Sequence, residues 1–324
     1  MGRVLVTHEL PDGGTQPLAD AGHEVVHLER GEGDPACSPS ELAEIASDFD
    51  GIVCLLTDTI DEKVLAAGAS GRLKVIGNVA VGYNNIDVTA ASRLGVAVCN
   101  TPGVLDETTA DLAFLLLLSA SRLASEAERD LRSGLWHGWG IKQYLGQDVH
   151  GAVLGLVGYG RIGQAVARRA AGFGMQVLHH TRRQTGSAGY VASLDELMEE
   201  SRLVSLHVPL TEETHHMIGA HQLELLGVEG VVVNTSRGPV VDEQALARAL
   251  ESGTILAAGL DVYEHEPDVH PALLSAPRTV LLPHIGSASR RTRTRMARLA
   301  CEGVCAVLAG RRPENLVVLA PQTA

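Results

Sequence analysis

Residues 152–174 read AVLGLVGYGRIGQAVARRAAGFG. A short uninterrupted apolar run leads into Gly158, Gly160 and Gly163, and a stretch with helical spacing follows. An apolar run of that length bounded by glycine predicts a buried strand, and the alanine- and arginine-rich stretch predicts a helix. The GxGxxG spacing is weak by itself and becomes specific between a strand and a helix. Gly158 permits the tight turn, Gly160 lets the backbone approach a ligand, and Gly163 lets the helix pack closely on the strand. The helix start offers free N–H groups and a partial positive charge, which suits a pyrophosphate.

Around this unit the same alternation repeats. GAVLGLVG, MQVLHH, RLVSLHV, GVVVNTS, ILAAGL and RTVLLPH, from 151 to 284, are six candidate strands separated by helical stretches. Before them RVLVTH, HEVVHL, GIVCLL, LKVIGN and GVAVCN repeat the pattern, with SPSELAEIAS and DEKVLAAGAS as helices. Continuous apolar strands alternating with helices predict parallel sheets covered on both faces. A long apolar helix is expected over 107–132, followed by a loop holding Trp136 and Trp139. A basic helix after His284, with Ser287 and Ser289 as candidate caps, closes the chain. The prediction is an α/β protein of two doubly wound parallel-sheet domains. A flavodoxin-like substrate domain (1–100 and 288–324) would carry an inserted Rossmann NAD(P)-binding domain (101–287).

The 324 residues suffice for two domains, and 45 % apolar residues suffice for their cores. A net charge of −13 argues against a nucleic-acid partner, and the arginines after His284 are spaced as a solvated helix face. The longest apolar run, LAFLLLLSA, is too short to cross a bilayer, and the opening MGRVLVTHELPDGG reads as strand and turn rather than a leader. Five scattered cysteines give no disulfide framework, which suits a cytoplasmic setting. Cys301 and Cys305 share a helical face but have no companion ligands. The pairs His179–His180 and His215–His216 are poor chelators, because adjacent side chains diverge. No metal site is expected.

The strand after the glycine motif ends in Thr181, Arg182 and Arg183, where an acidic residue would bind the ribose 2′-hydroxyl of NAD. A guanidinium suits a 2′-phosphate, so NADP(H) is expected, with NAD(H) as the lesser option. Three further segments place polar groups at strand ends, where ligands bind in such sheets. Arg237 follows VVVNTS; Asp261, Glu264 and Glu266 follow ILAAGL; His284 follows TVLLP. Reducing a 2-oxo acid requires a cation for the carboxylate, a proton donor for the new alkoxide, and a group that keeps the donor charged. Arg237, His284 and Glu266 answer to these. Asp261 is either a contact for the nicotinamide carboxamide or a strand-end cap, and Glu264 is expected to be exposed.

NVAVGYNNIDV, NTPGVLDETTADLAFLLLL, GLVGYGRIGQAVARR, VNTSRGPVVDEQAL, GLDVYEHEP and LLPHIGSASRRTRTRMA together resemble the D-isomer-specific 2-hydroxyacid dehydrogenases, and among them the glyoxylate/hydroxypyruvate reductases. The resemblance implies that Arg237, Glu266 and His284 are catalytic. It implies that the N–H groups of Val81 and Gly82 hold the substrate carboxylate and that Ser287 reaches the active site. It places Gly160, Arg161 and Ile162 at the pyrophosphate, and Thr109, Pro209, Thr235, Asp261 and Gly286 along the rest of the dinucleotide. It also implies hinge closure and a homodimer, with Trp136 or Trp139 reaching the partner's site. The sequence departs from many relatives at Asn84, where they carry aspartate. About forty residues follow His284, fewer than the regulatory extension of many phosphoglycerate dehydrogenases requires. The expected activity is reduction of glyoxylate and hydroxypyruvate. The alternatives are an NAD-linked D-lactate- or phosphoglycerate-type dehydrogenase and a dinucleotide-sensing scaffold.

Overall fold

The computed structural model describes residues 1–29, 35–184 and 186–318. The expected 288–324 segment thus ends in six residues that lie outside the described ones. By its internal contacts the chain falls into two units, Met1–Leu105 with Ser287–Ala324, and Asp106–Gly286.

In the first unit β1 (Arg3–Val6), β2 (Glu24–His27), β3 (Gly51–Cys54), β4 (Val75–Asn78) and β5 (Ala97–Cys99) are parallel, in the order β2-β1-β3-β4-β5. That is the flavodoxin-like order. Asp61, Asp87 and Ser38 cap the intervening helices, each accepting from the amide three residues on. Helix Arg290–Leu308 begins at Ser289, whose side chain accepts from Thr292 N–H, so Ser289 and not Ser287 is its cap. The helix covers one face of the sheet: a Cβ at Gly51 or Gly77 would lie 2.9 or 2.8 Å from the Val304 side chain.

The second unit holds β6 (Val153–Val157), β7 (Gln176–His180), β8 (Leu203–Leu206), β9 (Val231–Asn234), β10 (Ala257–Leu260) and β11 (Thr279–Leu281), all parallel, in the order β11-β10-β9-β8-β6-β7. Alternate residues feed opposite cores: Val231 and Val233 join one apolar cluster, Val232 the other. The expected six strands are present, but one further strand is reduced to a single parallel bridge, His179 to Tyr190. Two hydrogen bonds hold it, His179 N–H to Gly189 C=O at 2.7 Å and Val191 N–H to His179 C=O at 2.9 Å. Counting that bridge outside β7, the sheet has the Rossmann order, reversing between β6 and β8.

Two local expectations need correction. The helix expected over 107–132 is two helices, Asp106–Ser121 and Ala124–Arg132, broken at Leu123 with φ +50°. The Ser121 carbonyl accepts from Gln147 N–H at 2.8 Å instead of from the next turn. Gly146 permits this approach, since a Cβ there would lie 2.1 Å from that oxygen. The other correction is an added strand, β12 (Leu316–Val318), which pairs antiparallel with β5 through an irregular register. Among the described residues no helix is long and apolar enough to cross a membrane.

Candidate active site

The glycine motif falls between β6 and helix Arg161–Gly172. Gly158 has φ +96°, and a Cβ there would lie 2.6 Å from the His207 carbonyl oxygen. A Cβ at Gly163 would lie 2.3 Å from Gly158 C=O. Both glycines are therefore required by the protein itself. Gly160 differs: a Cβ there meets nothing within 4 Å, so its glycine is demanded by no neighbouring side chain. Gly160 caps the helix without a side-chain bond, leaving the first-turn amides of Arg161, Ile162 and Gly163 uncapped. Thr235 Oγ1, after β9, is buried with no partner among the described residues. Free amides, open space at Gly160 and an unpartnered hydroxyl at a strand end fit a dinucleotide.

The other expected cofactor contacts are arranged unevenly. Arg182 is exposed and bonded to Glu213 at 3.1 Å, and Arg183 accepts at its carbonyl from Thr181 Oγ1 at 2.6 Å. Pro209 is exposed and its carbonyl accepts from Thr214. Beside the motif, burial of the His207 ring pushes its pKa down to about 3, and its Nε2 has no partner among the described residues. The unfolded chain takes up a proton near pH 6.5 that the folded chain refuses until about pH 3. The unfolded state then binds more protons, so stability falls as pH drops through that window, by up to about 1.4 kcal/mol per unit. Urea unfolding between pH 4 and 7 should show a shallower acid slope for His207→Gln than for the wild type. Equal slopes would clear His207 of the effect.

The expected trio comes together beyond β9, β10 and β11. Glu266 Oε2 lies 2.7 Å from His284 Nδ1, and its Oε1 accepts from Tyr263 N–H at 3.0 Å. Burial raises the Glu266 pKa. The His284 hydrogen bond and charge, the Tyr263 amide and the Arg237 charge outweigh it and hold the carboxyl below its ordinary value. Arg237 is half-buried, donates to Ser236 C=O at 2.7 Å, and has its pKa pushed down by burial against the opposing pull of Glu266. Asn234 shapes its turn, donating to Arg237 C=O at 2.8 Å and accepting from Ser236 N–H and Oγ. His284 has φ +53°, a region that a non-glycine residue holds only under external constraint.

Asp261 supplies the constraint. Its Oδ1 accepts from Ile285 N–H at 2.7 Å and its Oδ2 from Gly286 N–H at 2.8 Å, while its carbonyl accepts from His284 N–H at 2.9 Å. The buried carboxylate thus caps the histidine loop. Thr109 Oγ1 donates to Gly286 C=O at 3.2 Å, so both peptide groups flanking Gly286 are tied inward. Glu264 is not exposed. Its side chain is 16 % accessible, accepts from Glu243 N–H at 2.8 Å and faces His216 Nε2 at 3.0 Å. Its own N–H donates to Glu243, a reciprocal pair that fastens the loop to helix Glu243–Ser252.

Gly238 is a residue the sequence reading passed over. A Cβ there would lie 1.8 Å from the Tyr263 carbonyl carbon, so the Arg237 turn and the Glu266 turn touch backbone to backbone. The signal was present in SRGP, but only the fold shows what glycine is for.

In the first unit, Val81 and Gly82 lie in the turn after β4. In a trans peptide the N–H points opposite to the preceding carbonyl, so holding one aims the other. Thr101 N–H holds Ala80 C=O at 2.8 Å, which aims Val81 N–H. Asn100 Nδ2 holds Val81 C=O at 2.8 Å, which aims Gly82 N–H. Asn78 Nδ2 holds Gly82 C=O at 3.0 Å, which aims Tyr83 N–H. Asn78 and Asn100 were also missed; each closes a strand end. Ser287 opens this unit's second segment, and its carbonyl accepts from Ser289 N–H.

Cys301 and Cys305 are buried, with the Cys301 pKa pushed up to about 12 by burial. His179 stacks on Tyr159 at 4.0 Å. No group of three metal-ligating side chains occurs among the described residues.

Residues 114–286 match the family described as D-isomer specific 2-hydroxyacid dehydrogenase, NAD binding domain. The glyoxylate reductase of Korarchaeum cryptofilum (strain OPF8) is 48 % identical over 324 residues, 97 % of this chain and 95 % of that protein. The glyoxylate reductase of Thermococcus onnurineus (strain NA1) is 43 % identical over the same shares. The NADPH-dependent glyoxylate/hydroxypyruvate reductase of Sinorhizobium meliloti, solved with NADP and malonate, superposes with a TM-score of 0.86 at 34 % identity, covering 99 % of each chain. With its glycine motif, its strand-end Arg237, Glu266 and His284, and this likeness over nearly its whole length, the chain belongs to the D-isomer specific 2-hydroxyacid dehydrogenases.

Proposed function

We propose that this protein reduces small 2-oxo acids, glyoxylate to glycolate and hydroxypyruvate to D-glycerate, with NADPH preferred over NADH. The observation that carries the reading is the 2.7 Å bond between His284 Nδ1 and Glu266. A nicotinamide dinucleotide, when bound, supplies the hydride. The amides of Arg161 and Ile162, with the three glycines, hold its pyrophosphate, and Thr235, Thr109, Pro209, Asp261 and Gly286 bound the remainder.

Glu266 accepts from Nδ1 and stabilises the imidazolium, which leaves Nε2 to give its proton to the developing alkoxide. Arg237 holds the substrate's carboxylate and carbonyl oxygens with its planar, two-pronged cation. Val81 and Gly82 grip the carboxylate through their aimed amides, with Ser287 beside them. The unit built on β1–β5 is thus the substrate domain, and the unit built on β6–β11 the dinucleotide domain. A cytoplasmic homodimer, with Trp136 or Trp139 at the partner's site, completes the proposal.

The NADPH preference rests on Arg182 and Arg183 and on the lack of a carboxylate at the end of β7. Glu213 already pairs with Arg182, but both side chains are exposed. Such a pair is worth within about 1 kcal/mol, so a 2′-phosphate can displace it. Absorbance at 340 nm should show fast NADPH oxidation by glyoxylate and hydroxypyruvate. Replacing both arginines by alanine should lower the NADPH-to-NADH ratio of kcat/KM by about ten- to a hundredfold, as expected from lost charged hydrogen bonds. An unchanged ratio would place phosphate recognition elsewhere. No turnover with any small 2-oxo acid would remove the reductase reading.

A further inference from the structure

A buried carboxylate in the first unit is not accounted for by the site so far. Asp58 is fully buried, just beyond β3. Its Oδ2 accepts from Thr7 Oγ1 at 2.6 Å and from Leu55 N–H at 2.9 Å, and its Oδ1 from Cys37 N–H at 3.2 Å. His8 Nδ1 stands 3.5 Å from Oδ2 and 3.2 Å from Thr7 Oγ1. A carboxylate so placed is costly unless donors surround it, and four groups from three segments do so.

What that cluster holds is the turn from Leu55 to Asp58, closed by Asp58 N–H to Leu55 C=O at 3.2 Å. Two carbonyls of this turn, Leu55 at 3.1 Å and Asp58 at 3.0 Å, accept from Asn85 Nδ2. Asn85 in turn pairs with Asn78, Asn78 Nδ2 to Asn85 Oδ1 at 3.2 Å and Asn85 Nδ2 to Asn78 Oδ1 at 3.3 Å. Asn78 is the side chain that holds Gly82 C=O. An unbroken series therefore runs from Thr7 and Asp58 through Asn85 and Asn78 to the substrate turn. Each member is polar, and its partners are set by geometry rather than by packing.

We propose that Thr7, Asp58 and Asn85 are positioning residues that, through Asn78 and the Gly82 carbonyl, set the Gly82–Tyr83 peptide and with it the turn whose amides grip the substrate carboxylate. They touch no substrate themselves. They fix the plane of the turn after β4, so that its N–H groups converge before a ligand arrives. Preorganisation of that kind lowers the cost of binding without altering the proton-transfer groups. The relay should therefore act on substrate affinity and leave the chemical step alone. This rests on the reductase reading above.

The test uses the full chain and two readouts, steady-state kinetics with glyoxylate and calorimetric binding of oxalate to the NADPH complex. Thr7→Val removes the hydroxyl that donates to Asp58 while keeping its shape. It should raise the glyoxylate KM and the oxalate Kd by about tenfold, the range of one lost buried hydrogen bond. The kcat should stay within about twofold and the NADPH Kd should not move. Thr7→Ser, which keeps the hydroxyl, should restore both constants. Asp58→Asn should act in the same direction and more strongly. The relay is wrong if Thr7→Val leaves KM and oxalate binding unchanged in an active enzyme. It is also wrong if kcat, NADPH affinity and Tm fall together and Thr7→Ser does not restore them, which is the mark of general damage. A wild type that neither turns over a 2-oxo acid nor binds oxalate would overturn the reductase reading, and the relay with it.

Discussion

Replacing His284 by alanine is expected to lower kcat with glyoxylate by about a hundred- to ten-thousandfold, the range of a lost general acid. Three features concentrate the chemistry on this residue. Its Nδ1 is engaged by Glu266, so only one ring nitrogen is available for substrate. Its backbone sits at φ +53°, held there by Asp261 through the next two amides. That carboxylate is buried and needs nothing from the imidazole to keep its two amide bonds. The loop should therefore survive the loss of the ring, and NADPH binding measured by fluorescence should stay near wild type. A variant turning over near the wild-type rate would take the proton-donor role from His284. One that lost NADPH binding as well would show that the ring holds the loop.

The second large effect is expected at Gly238. Alanine would place its methyl 1.8 Å from the Tyr263 carbonyl carbon, 1.9 Å from that oxygen and 2.4 Å from Glu264 N. Neither strand end can yield cheaply. Tyr263 is held at both ends, its N–H on Glu266 and its hydroxyl on Leu282 C=O, and Glu264 N–H is held by Glu243. The two turns must part, and they carry Arg237 and Glu266. Overpacking against backbone costs about 3 kcal/mol. For a unit of this size that is a Tm lower by about 6–12 °C. Misplacing Arg237 by an ångström should cost about a hundredfold in kcat/KM. A thermal scan and a glyoxylate titration of Gly238→Ala read both. Wild-type values in each would mean that the turns separate freely.

The parts of this site that declare themselves in sequence are those whose role is local. The glycine motif could be read because Gly158 and Gly163 answer to contacts within one strand–turn–helix unit. The trio could be read because parallel strands deliver their last residues to one edge, so position along the chain stands in for position in space. What the sequence hides depends on partners far along it. Gly238 meets Tyr263, Asn78 meets Gly82 only through a folded turn, and Glu264 is drawn in by its reciprocal bonds with Glu243. The break at Leu123 has the same origin: AFLLLLSASRLASEAERD has no residue that forbids a helix, and the interruption comes from Gln147, more than twenty residues on. The bridge at Tyr190 was illegible for the opposite reason, since one paired residue leaves no periodicity to detect.

The discontinuity of the first unit bears on how the chain is made. Residues 106–286 are contiguous, so that unit can complete its sheet while the ribosome is still extending the remainder. The older half must wait. Its strands β1–β5 emerge first, yet the helix that seals Gly51 and Gly77 under Val304 is translated only after residues 106–286. Through most of synthesis one side of the amino-terminal sheet is bare, and its completion joins segments separated by an entire folded neighbour. Because that neighbour brings its two ends close, with Thr109 bonded to Gly286, the gap to be closed is far shorter than the intervening sequence suggests.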